Sequence, residues 1–147
     1  MATEYAARVV DEARSWIGTP YRHQASLRGI GTDCLGLVRG VWRGLHGEEP
    51  EMPPAYSPDW GEADGAETLA EAAGRHMAPV ALAEIAPGDV VLFRMVRAGP
   101  AKHCGILAER RGAPTLVHAW SGRRVAEVSF DEAWRRRLAF AFRFPGA

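Results

Sequence analysis

The residue types that build thiol-based acyl-transfer sites are few in this sequence: two cysteines and five histidines. Cys34 follows directly after Asp33, where glycine-containing sequence gives way to an apolar helical pattern. A thiol is a nucleophile only as the thiolate, and the first turn of a helix stabilises that anion through its unpaired N–H groups and its dipole. The position of Cys34 therefore suits a nucleophile.

A cysteine nucleophile needs a base and a third group that orients the base. His103 begins a β-type run, and Gly105 within that run would let another segment approach closely. His118 lies among apolar residues in the next β-type run. This order predicts Cys34 as the nucleophile, His103 as the base, and His118 as the group that hydrogen-bonds the second nitrogen of His103.

Each of these residues also has a structural interpretation. A cysteine in the apolar stripe of a helix is most often a small core residue, and a strand histidine is often a hydrogen-bonded structural group. Cys104 lies mid-strand without an obvious base and is interpreted as structural, and no disulfide with Cys34 is expected in a reducing compartment. A zinc site from both cysteines with His103 and His118 lacks any CxxC or HxxxH spacing, so no metal or cofactor is predicted. The remaining histidines are interpreted as solvated: His23, His46 and His76.

Two helices are predicted to position the nucleophile. Apolar residues at helical spacing indicate a first helix from Tyr5 to Ile17, which Gly18, Thr19 and Pro20 end. The stretch 21–32 has no periodicity and is predicted to be a loop. Asp33 can then cap a second helix, with Cys34 in its first turn. The buried stripe of this helix is predicted to be Leu37, Val38, Val41, Trp42 and Leu45.

The stretch from His46 to Glu67 carries four prolines, seven acidic residues and no lysine or arginine. This composition predicts an irregular surface loop. Its two interpretations are a solvated connection between helices, and a lid or docking element, because long loops are often functional. A short alanine-rich helix is predicted from Thr68 to Met77.

The second half of the chain has short β-type runs separated by turn residues. Helices followed by closely spaced strands predict one α+β domain over residues 1–147, with N-terminal helices packed on a largely antiparallel β-sheet. A helical turn with an exposed arginine run is predicted at Asp131–Arg137. The predicted strands are Asp89–Phe93, His103–Ala108, Thr115–Trp120, Val125–Val128 and Leu138–Phe144.

Composition excludes some classes of function. The chain has 147 residues, 47% of them apolar, and 18 basic residues balance 18 acidic ones. Because this charge balance gives no electrostatic drive toward phosphates, neither nucleic acid nor an anionic membrane is expected as a partner. No apolar run has signal-peptide or membrane-spanning character, so we expect cytoplasmic synthesis without a signal peptide.

The joint pattern resembles the NlpC-type family of papain-like cell-wall peptidases in content and order. The segments that carry the resemblance are Gly18–Tyr21, Asp33–Val38, Pro87–Phe93, His103–Leu107 and Leu116–Ala119. The resemblance implies a papain-like α+β core that cleaves amide bonds in peptidoglycan stem peptides, typically next to D-glutamate or diaminopimelate. It implies no cofactor.

Carried onto this sequence, the resemblance implies Cys34 as nucleophile, His103 as base and His118 as the polar third residue. It also implies a substrate-binding role for Tyr21 and Asp33, which in relatives shape the pocket and engage the amino end of the stem peptide. From the residues alone, the tyrosine is a packing aromatic and the aspartate an N-cap.

The sequence departs from many cell-wall members of that family, since Leu35 stands where they carry serine and neither a secretion signal nor wall-binding repeats are recognised. It is more similar to compact members encoded with phage tails and gene transfer particles. That similarity implies incorporation into a phage-like tail, with hub or baseplate proteins as partners.

Two other functions remain open. The protein is alternatively a structural tail-tip component, with the loop Gly47–Glu67 or the run Arg135–Arg137 contacting a hub protein. A third hypothesis is acyl transfer on a small amide or a lipid, because one fold can serve several substrates.

Overall fold

The computed structural model of the chain describes residues 3–50 and 67–146. Within these ranges the helices are α1 (Glu4–Arg14), α2 (Cys34–His46), α3 (Thr68–His76) and α4 (Glu132–Arg137), with a single 3-10 turn at Leu82–Glu84. The strands are β1 (Ser26–Leu27), β2 (Gly31–Thr32), β3 (Ala78–Pro79), β4 (Val90–Phe93), β5 (His103–Arg110), β6 (Ala113–His118), β7 (Ala126–Ser129) and β8 (Leu138–Arg143).

The main sheet has six strands in the order β3-β8-β4-β5-β6-β7, and every neighbouring pair is antiparallel. One face packs on α1, α2 and α3 through the larger apolar core, which includes Val9, Leu37 and Ile106. A smaller cluster that includes Phe93 and Leu116 covers the opposite face. The predicted α+β fold with helices on an antiparallel sheet is confirmed, whereas the domain limits 1–147 stay a prediction.

Strand β5 sends neighbouring side chains to opposite faces of the sheet. In the register with β4, Cys104 pairs with Leu92 and His103 pairs with Phe93. Because side chains alternate along a strand, Cys104 joins the core beneath the helices and His103 faces the other side. Gly105 lies so close to β6 that an added Cβ would approach the Cβ of His118 to 3.0 Å. The predicted close approach at this glycine is confirmed.

The first helix is shorter than the sequence pattern predicts. It ends at Arg14, with Ser15 as its C-cap, and the following residues form a turn. Trp16 remains in the core at 3% exposure, but Ile17 is 44% exposed. The predicted end of this helix at Ile17 was wrong, because the residues after Arg14 form a turn to which helical periodicity no longer applies.

The predicted loop 21–32 contains an antiparallel pair of two-residue strands, β1 and β2. This hairpin packs on the start of α2, where Gly36 makes the contact possible: a Cβ there would lie 2.0 Å from the carbonyl oxygen of Ala25. The hydroxyl of Ser26 donates to the carbonyl oxygen of Gly36 at 2.6 Å. The strand β3 was also missed, because its Pro79 disfavours a strand except at an edge, which is where β3 lies.

Residues 51–66 of the predicted acidic loop lie outside the described residues, so its irregular conformation and its role stay predictions. The described residues beside it are anchored by ion pairs. Glu49 accepts from Arg39 and Arg43, and Glu67 accepts from Arg94 and from the backbone N–H of Ala101.

Candidate active site

The start of α2 is held by a buried carboxylate. Asp33 is the N-cap, and its Oδ1 accepts from the backbone N–H of Gly36 at 2.7 Å. Its Oδ2 accepts from the backbone N–H of Gln24 at 2.7 Å, which ties the preceding loop to the helix. Gln24 has a φ of 65°, a left-handed conformation that is strained for a residue with a side chain. Asp33 therefore fixes the backbone on which Cys34 stands.

Cys34 is the first residue of α2 and is half-buried. Its Sγ lies 3.8 Å from the carbonyl oxygen of Lys102 at the start of β5. The side chains of Cys104 and His103 lie close enough to this sulfur to influence its ionisation. The hydrogen bond from Cys104, together with the bond and charge of His103, holds the pKa of the Cys34 thiol well below its usual range despite burial. The environment therefore favours the thiolate.

Cys104 has the complementary protonation behaviour. Its hydrogen bond to Cys34 and its burial hold the pKa of the Cys104 thiol well above the usual range. A thiol that keeps its proton beside a thiolate can act as the donor of the S–H···S bond. The sequence predicts a structural role for Cys104, and in the structure this thiol also helps to lower the pKa of the nucleophile candidate. Both cysteines are free thiols.

His103 and His118 are joined ring to ring. Nε2 of His103 lies 2.9 Å from Nδ1 of His118. His118 is only 6% exposed, and burial, with a smaller contribution from the charge of His103, lowers its pKa to about 3. His118 is therefore neutral near pH 7 and can accept at Nδ1. His103 then donates from Nε2, which leaves its Nδ1 as the nitrogen available to Cys34.

Two tryptophans enclose the histidine pair. The Trp134 ring on α4 stacks on His103, with ring centroids 5.6 Å apart and planes 29° apart. It meets His118 edge-on at 5.0 Å. Trp120, which follows β6 and is 37% exposed, meets the same two imidazoles edge-on at 5.2 and 5.6 Å. The sequence analysis missed both indoles, because an aromatic residue in a short helix or turn has no spacing signature that separates it from core packing.

Tyr21 lies beside Cys34 and Asp33 and is half-buried. Burial, and to a lesser extent the negative charges of Cys34 and Asp33, raise the pKa of its phenol to about 12. The phenol therefore keeps its proton at any working pH and is available as a donor. Its backbone is fixed by the hydrogen bond from its N–H to the carbonyl oxygen of Arg123.

The structure thus brings Cys34, His103 and His118 together where α2 and β5 begin, with Tyr21 and Asp33 near enough to influence the same group of residues. The three histidines interpreted as solvated are not part of the group formed by Cys34, His103 and His118. His23 is exposed, 3.9 Å from the Asp33 carboxylate, while His46 and His76 pack around Trp42. Within residues 3–50 and 67–146, no three His, Cys, Asp or Glu side chains are arranged to hold a metal ion.

Comparison with known families agrees with this architecture. A sequence model of the NlpC/P60 family matches residues 18–143. The chain belongs to the NlpC/P60 family. Its match begins just before Tyr21 and ends at the last residue of β8, so it contains all five candidate site residues. The family predicted from the sequence is confirmed.

A curated NlpC/P60 relative is the gamma-DL-glutamyl hydrolase of Bacillus subtilis (strain 168), which is 30% identical over 138 residues. The alignment covers 92% of this chain, but the chain spans only 29% of the length of that relative. Within the described ranges, no helix has the length and apolarity that a membrane crossing requires.

Solved structures share the fold. The NlpC/p60 domain of the peptidoglycan hydrolase SagA superposes with a TM-score of 0.63 at 21% identity, covering 93% of this chain and 97% of that one. The peptidoglycan hydrolase RipB of Mycobacterium tuberculosis superposes with a TM-score of 0.58 at 19% identity, and the match covers 100% of this chain and 70% of RipB. NlpC2 of Trichomonas vaginalis superposes with a TM-score of 0.66 at 17% identity, and the match covers 98% of this chain and 49% of NlpC2. The predicted papain-like NlpC-type core is therefore confirmed.

Proposed function

We propose that this protein is a cysteine peptidase that hydrolyses amide bonds in peptidoglycan stem peptides. The observation that supports the proposal is the arrangement at the start of α2: His103 lies close enough to Cys34 to help lower the pKa of its thiol, and His103 hydrogen-bonds with a buried, neutral His118. Family membership and the naming of SagA and RipB as peptidoglycan hydrolases support the choice of substrate.

Acylation begins with attack of the Cys34 thiolate on the amide carbonyl carbon. The carbonyl electrons move onto oxygen, and the backbone N–H of Cys34, at the start of α2, helps to stabilise the oxyanion. The tetrahedral intermediate then collapses. The C–N bond breaks, and the imidazolium of His103 gives its proton to the departing amine.

Deacylation returns the site to its starting state. The neutral His103 accepts a proton from water as that water attacks the thioester, and the Cys34 thiolate leaves with the electrons of the C–S bond. His118 holds the His103 ring in one orientation through both half-reactions, because its Nδ1 accepts from Nε2 of His103. The carboxylate product then dissociates.

Tyr21 and Asp33 are proposed to bind the substrate beside the nucleophile. Support comes from the position of both residues next to Cys34 and from the pKa of the Tyr21 phenol, raised to about 12, which keeps a donor in the site. Both Asp33 oxygens already accept backbone N–H groups, so its negative charge would act on the amino end of the stem peptide as a fixed electrostatic field.

A glutamyl amide is the bond that we favour. The support is the name of the Bacillus subtilis relative, a gamma-DL-glutamyl hydrolase, whose similarity covers nearly the whole of this chain. Defined stem-peptide fragments that contain a single γ-D-glutamyl bond therefore make the first substrates to test.

We further propose that the protein is made in the cytoplasm and is incorporated into a phage-like tail beside hub or baseplate proteins. The support is the similarity of the sequence to compact tail-encoded members, including Leu35 after the nucleophile. Mass spectrometry of gradient-purified particles is the test. Stoichiometric copies in intact particles are expected, and exclusive recovery in the particle-free fraction would contradict this location.

Digestion of purified peptidoglycan tests the enzymatic proposal. Wild-type protein is expected to release stem-peptide fragments, and Cys34→Ala is expected to lower the rate at least about 10³-fold, as loss of a nucleophile does in related triads. Circular dichroism of the variant provides the folding control. Undiminished release by folded Cys34→Ala would refute the assignment, and an inactive wild-type protein in intact particles would favour the structural alternative.

A further inference from the structure

Trp134 presents its face to the proposed base, and Phe93 lies behind it in the same cluster, 5.9 Å from the His103 ring with planes 31° apart. The Trp134 ring stacks on His103, whereas Trp120 meets the same imidazole with planes 62° apart. Trp134 is itself held in place by Phe93, with centroids 4.9 Å apart, and by the edge contact with Trp120 at 5.1 Å. These ring contacts restrain the position of the stacked indole beside His103.

The backbone around Trp134 is fixed as well. Asp131 caps α4 by accepting from the backbone N–H of Trp134 at 3.2 Å, so a hydrogen bond sets the position of this residue in the first turn. The backbone N–H of Arg94, directly after β4, donates to the carbonyl oxygen of Arg137 at 2.8 Å. The C-terminal end of α4 is thereby held against the sheet that carries His103.

A fixed indole face has two physical effects on an imidazole. It attracts the ring when the ring is protonated, because the face of tryptophan is the strongest cation–π acceptor among the side chains within about 6 Å. It also occupies the space through which the imidazole would rotate away from Cys34. Both effects favour the state in which Cys34 is a thiolate and His103 is an imidazolium.

We propose that Trp134 is a positioning residue that stabilises the thiolate–imidazolium pair of Cys34 and His103 through the stacked indole face. This inference rests on the proposed function, because it assumes that His103 is the base for Cys34. The ionisable groups that face His103 are Cys34 on α2 and His118 on β6. His118 stays neutral and accepts from Nε2 of His103, and the indole face adds a cation–π attraction to the imidazolium.

The experiment measures the rate of Cys34 carbamidomethylation by iodoacetamide at pH 6 and at pH 9.5. Trypsin isolates Cys34 in the peptide 29–39 and Cys104 in the peptide 103–110, so mass spectrometry assigns the label to one thiol. The rate at pH 6 divided by the rate at pH 9.5 reports the fraction of Cys34 that is still a thiolate at pH 6. A change in packing that alters only access to the sulfur scales both rates and leaves this ratio unchanged.

Trp134→Leu is expected to lower that ratio about threefold or more relative to wild type, because it removes the cation–π attraction. Trp134→Phe retains a weaker aromatic face and should give an intermediate ratio. Trp42→Leu is the matched control, since Trp42 also packs on a histidine, His46, with centroids 4.8 Å apart and away from Cys34. Its ratio should equal that of wild type.

The outcomes separate the two proposals. A wild-type ratio near that of an ordinary thiol overturns the assignment of Cys34 and His103, and the role of Trp134 with it. A high wild-type ratio that is unchanged in folded Trp134→Leu overturns the positioning role alone. If Trp134→Leu does not fold, Trp134→Phe decides: a wild-type ratio in that variant contradicts the inference, and an intermediate ratio supports it.

Discussion

Nε2 of His103 lies 2.9 Å from Nδ1 of His118, and burial lowers the pKa of His118 to about 3. His118 is therefore a neutral acceptor near neutral pH, and in the proposed mechanism His103 is the ring that transfers the proton. A buried imidazole can in this way perform the orienting role that a carboxylate performs in other triads.

Replacement of His118 tests the orienting role. His118→Leu removes the acceptor and is expected to lower kcat/KM for stem-peptide cleavage by about 10² to 10⁴-fold, since the proposed base loses its tautomer and orientation. His118→Asn retains a carbonyl acceptor and should recover part of that loss. Steady-state kinetics on one defined fragment make the comparison. Equal activity of His118→Leu and wild type would remove His118 from the mechanism.

The lowered pKa of His118 also predicts how stability depends on pH. In the unfolded chain His118 binds a proton below about pH 6.5, but in the folded protein it does so only below about pH 3. Because the unfolded state binds more protons in this window, the free energy of unfolding falls as the pH falls, by up to about 1.4 kcal/mol per pH unit from this residue. Denaturant melts of wild type and His118→Leu between pH 6.5 and 4 should show a shallower decline in the variant. Parallel curves would contradict the assignment.

Cys104 is predicted to tune the nucleophile. Cys104→Ala removes a thiol that lowers the pKa of Cys34, so the variant is expected to have a higher Cys34 pKa than wild type. Cys104→Ser retains a donor and should stay closer to wild type. The pH dependence of Cys34 alkylation measures both. If the pH midpoint of Cys34 alkylation in Cys104→Ala matched that of wild type, Cys104 would not be lowering the pKa of Cys34.

Glu127 is predicted to stabilise the fold away from the site. Its side chain is 2% exposed, both of its oxygens accept from the guanidinium of Arg14, and it also accepts from Arg110 and Thr115. Hydrogen bonding by Arg14 is the main reason that the pKa of this carboxyl lies below its usual value. The stabilisation is therefore present above the unfolded pKa, near 4.5, and is lost as the pH falls through the lower folded value.

We accordingly expect Glu127→Gln to lower the free energy of unfolding at pH 7 by about 2 kcal/mol, a difference that shrinks below about pH 4. Urea melts at pH 7 and at pH 3 measure the free energy of unfolding of the variant and of wild type. Glu109→Gln, on an exposed side chain of β5, is the control and should change stability little. A destabilisation by Glu127→Gln that is the same at pH 7 and pH 3 would show that its charge is not responsible.

Much of the site was accessible from local sequence rules. The N-cap at Asp33, the helix that begins at Cys34 and the strand that begins at His103 each depend on residues close in the chain, and all three are confirmed. Gly105 was also informative, because a missing Cβ directly indicates that another segment approaches closely. The catalytic and binding roles of the candidate residues stay predictions.

The contacts that the sequence did not reveal are those between distant segments. Trp134 lies 31 residues beyond His103 in the chain, and its stacking depends on where α4 packs after β7. The proximity of Cys104 to Cys34 depends on how α2 packs against β5, and no local sequence pattern predicts that packing. The end of the first helix was misplaced for a related reason: the end of α1 is set by tertiary packing of the following turn.

Titration of the protein with iodoacetamide at pH 6, followed by assay of each sample for peptidoglycan cleavage, tests the central claim most directly. We predict that activity falls in proportion to labelling of Cys34 and reaches zero at one label per chain, while the buried Cys104 stays unlabelled. Full labelling of Cys34 with cleavage unchanged would contradict the claim that this thiolate is the nucleophile.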